Sequence, residues 1–177
     1  MQLLSNGQIS LRSPEPEDLE SMYVIENNPE LWSVSSTTVP YSRYLLRQYI
    51  ETSSADIFVD KQVRMVIQRE ADKRLLGLVD LTNLDVRNNR AEIGIVVLNE
   101  FRGQGIGTQA LLLICRYAFD FLHIHQLYAY VAADSLACIR MFTKCGFEYQ
   151  TVLKEWVKCS EKDYKDVVLL QCLNLSV

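Results

Sequence analysis

A glycine-rich turn between two apolar runs is the feature that most constrains this chain. Residues 100–110 read E-F-R-G-Q-G-I-G-T-Q-A and hold three of the seven glycines. A strand-like run, A-E-I-G-I-V-V, precedes the turn, and an apolar helical run, T-Q-A-L-L-L-I-C-R-Y-A-F-D-F-L, follows it. Such a turn frees backbone N–H groups at a helix N-terminus, where the helix dipole adds partial positive charge. It therefore predicts a binding site for a phosphate or pyrophosphate group.

Two common phosphate-binding motifs do not fit the spacing. The dinucleotide fingerprint G-x-G-x-x-G needs a third glycine where this chain has Thr108. The P-loop needs a glycine followed by lysine, and none of the glycines has that neighbour. The pattern that remains is R-x-x-G-x-G, formed by Arg102, Gly105 and Gly107.

The periodicity on either side of the turn predicts an α/β fold with a mixed, mostly antiparallel sheet. The predicted strands are 9–11, 63–68, 75–82, 91–97, 126–131, 148–158 and 164–174, and the predicted helices are 16–27, 42–52, 108–122 and 136–145. The strands of 63–97 are joined by short turns and predict an antiparallel meander. This order favours helices on both faces of the sheet. A length of 177 residues predicts a single domain spanning 1–177.

The composition of the chain indicates its cellular location and excludes some classes of partner. The formal net charge is -4 with no run of lysine or arginine, which argues against a nucleic-acid partner. No signal-peptide pattern and no membrane-length apolar run occurs, so we expect a cytoplasmic protein without a membrane partner. Five cysteines without a C-x-x-C pair predict reduced thiols.

The hexapeptide R-G-Q-G-I-G resembles the acyl-CoA signature of the GNAT family of N-acetyltransferases. A second block, V-A-A-D-S-L-A-C-I-R-M-F-T-K-C-G-F at 131–147, is similar to the strand–helix block that follows it in that family, and a closing hairpin holds Tyr164 and Asp166. The resemblance implies the GNAT fold and an acyltransferase that uses acetyl-CoA as cosubstrate and no metal. N-N-P-E-L-W, N-R-A-E-I-G-I and W-V-K-C-S-E-K-D-Y-K-D-V are most similar to spermidine acetyltransferases and to enzymes that acetylate the amino termini of ribosomal proteins.

The resemblance also implies which residues hold acetyl-CoA. The backbone amides of the turn would cradle its pyrophosphate: Arg102, Gly103, Gln104, Gly105, Ile106 and Gly107. The strand edge Ile95, Val96 and Val97 would pair with the pantetheine amides. Ser135 and Lys144 match positions near the CoA arm, although the family usually has asparagine where Ser135 stands.

Acetyl transfer to an amine needs a base for the ammonium and an acid for the departing thiolate. Glu92, on the strand before the turn, is the candidate base, and a structural carboxylate is the alternative. Many relatives use a tyrosine as the acid, but this chain has Phe142 at that position. Three interpretations remain open: Tyr128 or Tyr130 donates the proton, the thiolate leaves unassisted, or the protein is a binding module that has lost its activity.

Two other chemistries have weaker support. Cys138 and Cys145 would suggest a covalent route, but both fit a buried helical face. His123 and His125 lack obvious further ligands, so no metal site is predicted.

Carboxylates and aromatic rings near the first helix indicate the acceptor. Glu26, Glu30, Trp32 and Tyr41 are predicted to line the acceptor groove, and Asp80 and Asp85 are weaker candidates. An ordinary solvated loop is the alternative. Such a groove favours a polyamine or diamine, while a protein N-terminus or an aminoglycoside-like amine stays open. Relatives often dimerise, but no part of the sequence specifies an interface, so a homo-oligomer stays open.

Overall fold

A computed structural model describes residues 3–32, 39–54 and 56–175, without the side chains of Glu30 and Trp32. Its strands are β1 Ile9–Arg12, β2 Val63–Arg69, β3 Leu75–Asp85, β4 Arg90–Val97, β5 Gln126–Ala132, β6 Glu148–Lys158 and β7 Tyr164–Leu173. Its α-helices are α1 Leu19–Glu26, α2 Pro29–Trp32, α3 Arg43–Thr52, α4 Ile57–Asp60, α5 Ile106–Arg116 and α6 Leu136–Lys144. Short 3₁₀ helices cover Pro16–Asp18 and Asn99–Phe101, and a π-helical turn, Tyr117–Phe121, extends α5.

The strands join one sheet in the order β1-β2-β3-β4-β5-β7-β6. β4 and β5 pair in parallel, and the other neighbours pair antiparallel. The predicted meander is β2-β3-β4, whose two connections are short enough for hairpins. The predicted mixed, mostly antiparallel sheet is therefore confirmed.

Helices cover the two faces of this sheet with separate cores. On one face, Leu111 and Ile114 of α5 are fully buried in a core that includes Ile93 of β4. On the other face, Met22 of α1 and Leu46 of α3 are buried in a smaller core with Val66 and Leu78. Each such side chain contributes about 1.5–3 kcal/mol by leaving water. The prediction of helices on both faces is confirmed.

Two helix ends carry residues that favour a helix start or a helix stop. Ser42 precedes α3, and its hydroxyl accepts a hydrogen bond from the Leu45 N–H at 3.1 Å. Gly146 follows α6 with φ of 91°, the left-handed conformation expected where this helix stops.

The sequence did not predict α2 and α4. The first begins at Pro29, a favoured first helical residue, and the second is capped by Asp56, whose carboxylate accepts from the Phe58 N–H at 2.8 Å. One-turn helices such as these leave too short an apolar pattern to detect. The predicted helices 16–27 and 42–52 leave a connecting loop between them. Residues 33–38 of this loop lie outside the described residues.

No helix among the described residues has the length and apolar character needed to cross a membrane. The cytoplasmic location and the single-domain organisation stay predictions.

Candidate active site

The central feature of the sheet is a fork between β4 and β5. The two strands pair only where Arg90–Glu92 faces Gln126–Tyr128. Beyond this point β4 stays paired with β3 as far as Val97, whereas β5 stays paired with β7 as far as Ala132. In the part of the chain that the structure describes, the β4 edge from Ile93 onward has no strand partner on the β5 side. The predicted pantetheine residues Ile95, Val96 and Val97 lie on this edge, whose backbone groups can pair with a ligand's amides.

The glycine turn lies at the open end of the fork. Arg102 Nε donates to the Val97 carbonyl oxygen at 3.0 Å, and Gln104 Nε2 donates to the Glu100 carbonyl oxygen at 3.0 Å. These two bonds are local, and they tie the turn to the end of β4. The side chains of Arg102 and Gln104 are therefore engaged with the backbone. The Arg102 N–H donates to the Asn99 carbonyl oxygen at 3.3 Å, so the amides that the turn offers to an anion are those from Gly103 onward.

Gly103 and Gly105 supply the conformation that the turn needs. Their φ angles are 76° and 77°, in the region that other L residues rarely adopt. A Cβ atom added to either glycine would meet nothing within 4 Å, so this side of the turn is open. Gly105 is also the N-cap of α5 and has no side chain with which to cap the first N–H groups. The positive end of α5, beginning with Ile106, can therefore receive an anion.

Gly107 serves a different purpose from the other two glycines. It lies inside the first turn of α5, and a Cβ atom there would come within 2.6 Å of Met141 Sδ on α6. This glycine lets α5 and α6 approach each other, rather than giving the turn its shape.

Ser135 and Lys144 stand at opposite ends of α6. Ser135 is the N-cap of the helix, and Lys144 is exposed in its last turn. About 13 Å of helix separates them, so they would contact different parts of a long ligand. Their predicted role in binding the CoA arm stays a prediction.

Glu92 lies at the base of the fork, on the face opposite α5. Asn83 Nδ2 donates to Glu92 Oε2 at 2.8 Å, and Tyr128 is the register partner of Glu92 on β5. Burial and, after it, the charge of Glu92 raise the pKa of Tyr128. Gly94 follows on the same face, and a Cβ atom there would meet nothing within 4 Å. A carboxylate and a protonated phenol therefore lie together beside open space.

Three aromatic side chains, which we call the aromatic row, continue from Glu92 across the sheet. Tyr128 meets Tyr130 edge-on with ring centroids 5.6 Å apart, and Tyr130 stacks on Trp156 of β6 at 6.1 Å. Tyr130 is 40% exposed and Trp156 is 57% exposed. No role was predicted for Trp156, although a tryptophan within the charged segment K-E-W-V-K was a usable signal.

On the other side of Glu92, the face carries an ion-pair cluster. Arg64 donates from Nε and a terminal nitrogen to both oxygens of Asp80, at 2.9 and 2.8 Å, and lies 2.6 Å from Glu26 Oε1. Burial disfavours the charge of Arg64, but the two carboxylates outweigh it and raise its pKa. Burial raises the pKa of Glu26 more than Arg64 lowers it. The Glu26 carboxylate therefore forms an ion pair inside the protein. Its predicted role in the acceptor groove stays a prediction.

A cavity of about 140 Å³ adjoins this cluster. It is lined by Tyr41, Leu45, Leu46, Tyr49, Gln62, Val63, Arg64, Asp80 and Thr82. Thr82 is the register partner of Glu92, so the cavity reaches the base of the fork. Tyr41 is fixed by two hydrogen bonds between its backbone and the Asn27 side chain, at 2.9 and 3.0 Å. Glu30 and Trp32 belong to α2, and their side chains lie outside the described residues.

The remaining candidates are placed away from an open site. Phe142 is 2% exposed and packs edge-on against Phe147, with centroids 4.9 Å apart. Burial raises the pKa of Cys138 to about 11 and also raises that of Cys145, so both thiols are protonated and poorly nucleophilic near neutral pH. Among the described residues, no three His, Cys, Asp or Glu side chains are grouped so that they could hold a metal ion.

Comparison with known proteins shows the family of this chain. The sequence model of the acetyltransferase (GNAT) domain family matches residues 8–148. Spermidine N(1)-acetyltransferase of Vibrio cholerae is 27% identical over 168 residues, covering 94% of this chain and 95% of its own. YdaF of Bacillus subtilis, provisionally named a ribosomal N-acetyltransferase, is 29% identical and covers 69% of this chain and 68% of its own.

A solved structure has the same architecture. The crystal structure of the Vibrio cholerae spermidine N-acetyltransferase in complex with CoA and spermine matches with a TM-score of 0.82 and 27% identity, covering 96% of this chain and 97% of that one. The glycine turn, the fork and the family model agree with one another. The chain belongs to the GNAT family and is an acetyl-CoA-dependent N-acetyltransferase.

Proposed function

We propose that this enzyme acetylates a polyamine such as spermidine by direct transfer from acetyl-CoA. The observation that carries the proposal is the face around Glu92, where Asp80 and Tyr41 line a cavity on one side and the aromatic row lies on the other. Carboxylates and aromatic faces both attract alkylammonium groups. The spermidine acetyltransferases among the relatives, which align over most of this chain, support the same acceptor.

In the proposed reaction, Glu92 accepts a proton from the acceptor ammonium, directly or through one water molecule. The free amine attacks the thioester carbonyl carbon, the C–S bond breaks, and the CoA thiolate takes up a proton from a donor side chain. The attacking nitrogen loses its second proton as the amide forms, and this proton, passed through water, restores the donor. Tyr128 is the proposed donor because it lies beside Glu92 and its raised pKa keeps the phenol protonated at neutral pH. Tyr128 would thus take the role of the tyrosine that many relatives have at the position of Phe142.

Acetyl-CoA would bind along the fork with its pyrophosphate at the glycine turn. The proposed backbone donors are the amides of the turn from Gly103 to Gly107, because the Arg102 N–H already donates to Asn99. The N-terminus of α5 favours negative charge there. The free edge of β4, Ile95–Val97, offers the hydrogen-bonding groups for pantetheine. Ser135 and Lys144 remain the proposed side-chain contacts to the CoA arm.

The test is release of CoA thiol from acetyl-CoA with a panel of acceptors. The panel contains spermidine, spermine, putrescine, butylamine, peptides with a free amino terminus, and an aminoglycoside. We expect saturable turnover with spermidine or spermine, and a higher KM for butylamine, which lacks the second ammonium group. Turnover with peptides alone would replace the proposed acceptor by a protein amino terminus, the activity suggested by the name of YdaF.

We also propose that the enzyme forms a homo-oligomer, because one matching spermidine N-acetyltransferase structure, 27% identical with a TM-score of 0.79, is described as dodecameric. Light scattering of the purified protein should give a mass that is a multiple of 20.4 kDa. A monomeric mass at assay concentration would contradict this proposal.

A further inference from the structure

The strand β6 is interrupted just before Trp156. Leu153 pairs with Val167 of β7, and Val157 pairs with Lys165. The segment between these two pairs is therefore longer on β6 than on β7, and the extra β6 residues form a bulge. Within this bulge Glu155 has φ of 48°, a left-handed conformation that is unfavourable for a residue with a side chain. Bulges of this kind redirect side chains, and strained backbone persists only where neighbouring contacts hold it.

Asp166 of β7 provides those contacts. Its Oδ1 accepts from the Glu155 backbone N–H at 2.9 Å, and its Oδ2 accepts from Lys154 Nζ at 2.7 Å. The same residue uses its carbonyl oxygen to accept from the Ala133 N–H at 3.0 Å, which joins this part of β7 to the end of β5. One side chain therefore contacts both residues that precede Trp156.

The bulge places Trp156 beside Tyr130, on the face of the sheet that holds Glu92. Trp156 stacks on Tyr130 with an interplanar angle of 29°, although more than half of its surface is exposed. An exposed tryptophan gains little from burial, so stability alone does not account for a strained backbone that holds it there. Tyr130 in turn contacts Tyr128, the neighbour of Glu92.

We propose that Asp166 is a positioning residue that holds the β6 bulge so that Trp156 forms the outer aromatic wall of the acceptor site. The proposal rests on the proposed function, in which a cationic acceptor lies against the aromatic row. Trp156 then contacts the part of the acceptor that does not react, and Asp166 acts only through it. The ring distances from Tyr128 to Tyr130 and from Tyr130 to Trp156 make one continuous surface from the base of the fork to β6.

Steady-state kinetics of four variants test this role. Trp156→Ala and Asp166→Ala should each raise the KM for spermidine about tenfold, the size of one partly desolvated cation–π contact, with the KM for acetyl-CoA unchanged. Asp166→Asn keeps an oxygen for the Glu155 N–H and should restore most of the affinity. Lys154→Gln removes only the exposed ion pair and should change the KM less than twofold.

The double variant Asp166→Ala, Trp156→Ala separates positioning from a general loss of structure. If Asp166 acts through Trp156, the double variant should have the same KM as Trp156→Ala alone. Additive losses, or an Asp166→Ala variant with an unchanged KM and a lower Tm, would overturn the proposal and leave Asp166 a structural residue of the hairpin.

Tryptophan fluorescence gives a second readout that needs no acceptor. In a Trp32→Phe background Trp156 is the only tryptophan, since the chain has two. Asp166→Ala should increase quenching of Trp156 by acrylamide, and Asp166→Asn should not. If spermidine is not acetylated by the wild-type enzyme, the polyamine assignment fails, while the quenching result still decides whether Asp166 positions Trp156.

Discussion

The two sides of the fork are built in different ways. On the acetyl-CoA side, the ligand would contact the backbone of one continuous segment, residues 102–107, and the edge of β4. On the acceptor side, the surface consists of side chains from separate elements of the fold, including Arg64 of β2, Asp80 of β3 and Trp156 of β6. A backbone site depends on a few φ angles, whereas a side-chain site depends on many long-range contacts. Substitutions should therefore damage the two sides in different ways.

The largest effect is expected from Gly105→Asp. The left-handed φ of 77° and the new negative charge at the α5 N-terminus should together lower acetyl-CoA affinity by more than about 100-fold. Isothermal calorimetry measures this loss. Gly7→Asp is the matched control, because Gly7 also has a positive φ and open space around its Cβ position but lies near β1. Retained affinity in Gly105→Asp would remove the glycine turn from the acetyl-CoA site.

On the acceptor side, Arg64→Met should destabilise the fold by about 3 kcal/mol, because it leaves Asp80 and Glu26 partly buried without their cation. Urea denaturation measures the free energy of unfolding. Arg43→Met is the control, since the Arg43–Glu20 pair is similar in geometry but exposed, and its loss should change the free energy of unfolding much less. Equal losses in the two variants would show that burial of the Arg64 cluster contributes nothing.

Glu92→Gln should lower kcat about 30-fold with little change in stability, since it removes the proposed base and keeps the side-chain shape. The deficit should be greatest at low pH, where the acceptor amine is most fully protonated, and should shrink as the pH approaches the amine pKa of about 10. A pH–rate profile of both enzymes measures this. A pH–rate profile parallel to that of the wild type would exclude Glu92 as the base. Glu70→Gln, far from the fork, is the control and should leave kcat unchanged.

The smallest effect is expected from Gly107→Ala. The new methyl group must displace Met141 Sδ, which lies 2.6 Å from its position, but methionine is flexible and alanine favours the helix, so the net change should stay within about 1 kcal/mol. In Gly77→Ala, by contrast, the methyl group would lie 2.1 Å from the Val96 backbone oxygen, which cannot move without the strand. Thermal denaturation should separate the two variants clearly. Similar losses would mean that α5 and α6 are as tightly constrained as the sheet.

The accuracy of the sequence predictions follows the same division. The meander and the main helices were predictable because each depends on neighbouring residues. The conformation of the glycine turn was predictable for the same reason, and its role as an anion site stays a prediction. Glu26 was predicted as a groove residue, but the sequence could not indicate its contact with Arg64, which lies 38 positions away in β2.

The sequence by itself determined the α/β fold, the strand-to-helix glycine turn and the family to which the turn belongs. Only the tertiary structure decided where β4 and β5 separate, which tyrosine lies beside Glu92, and that Trp156 joins the same face through a bulge held by Asp166. The physical reason is the range of the interactions. Backbone conformation and amphipathic period are set over a few residues, whereas strand register and side-chain contacts are set by segments that meet only in the folded chain.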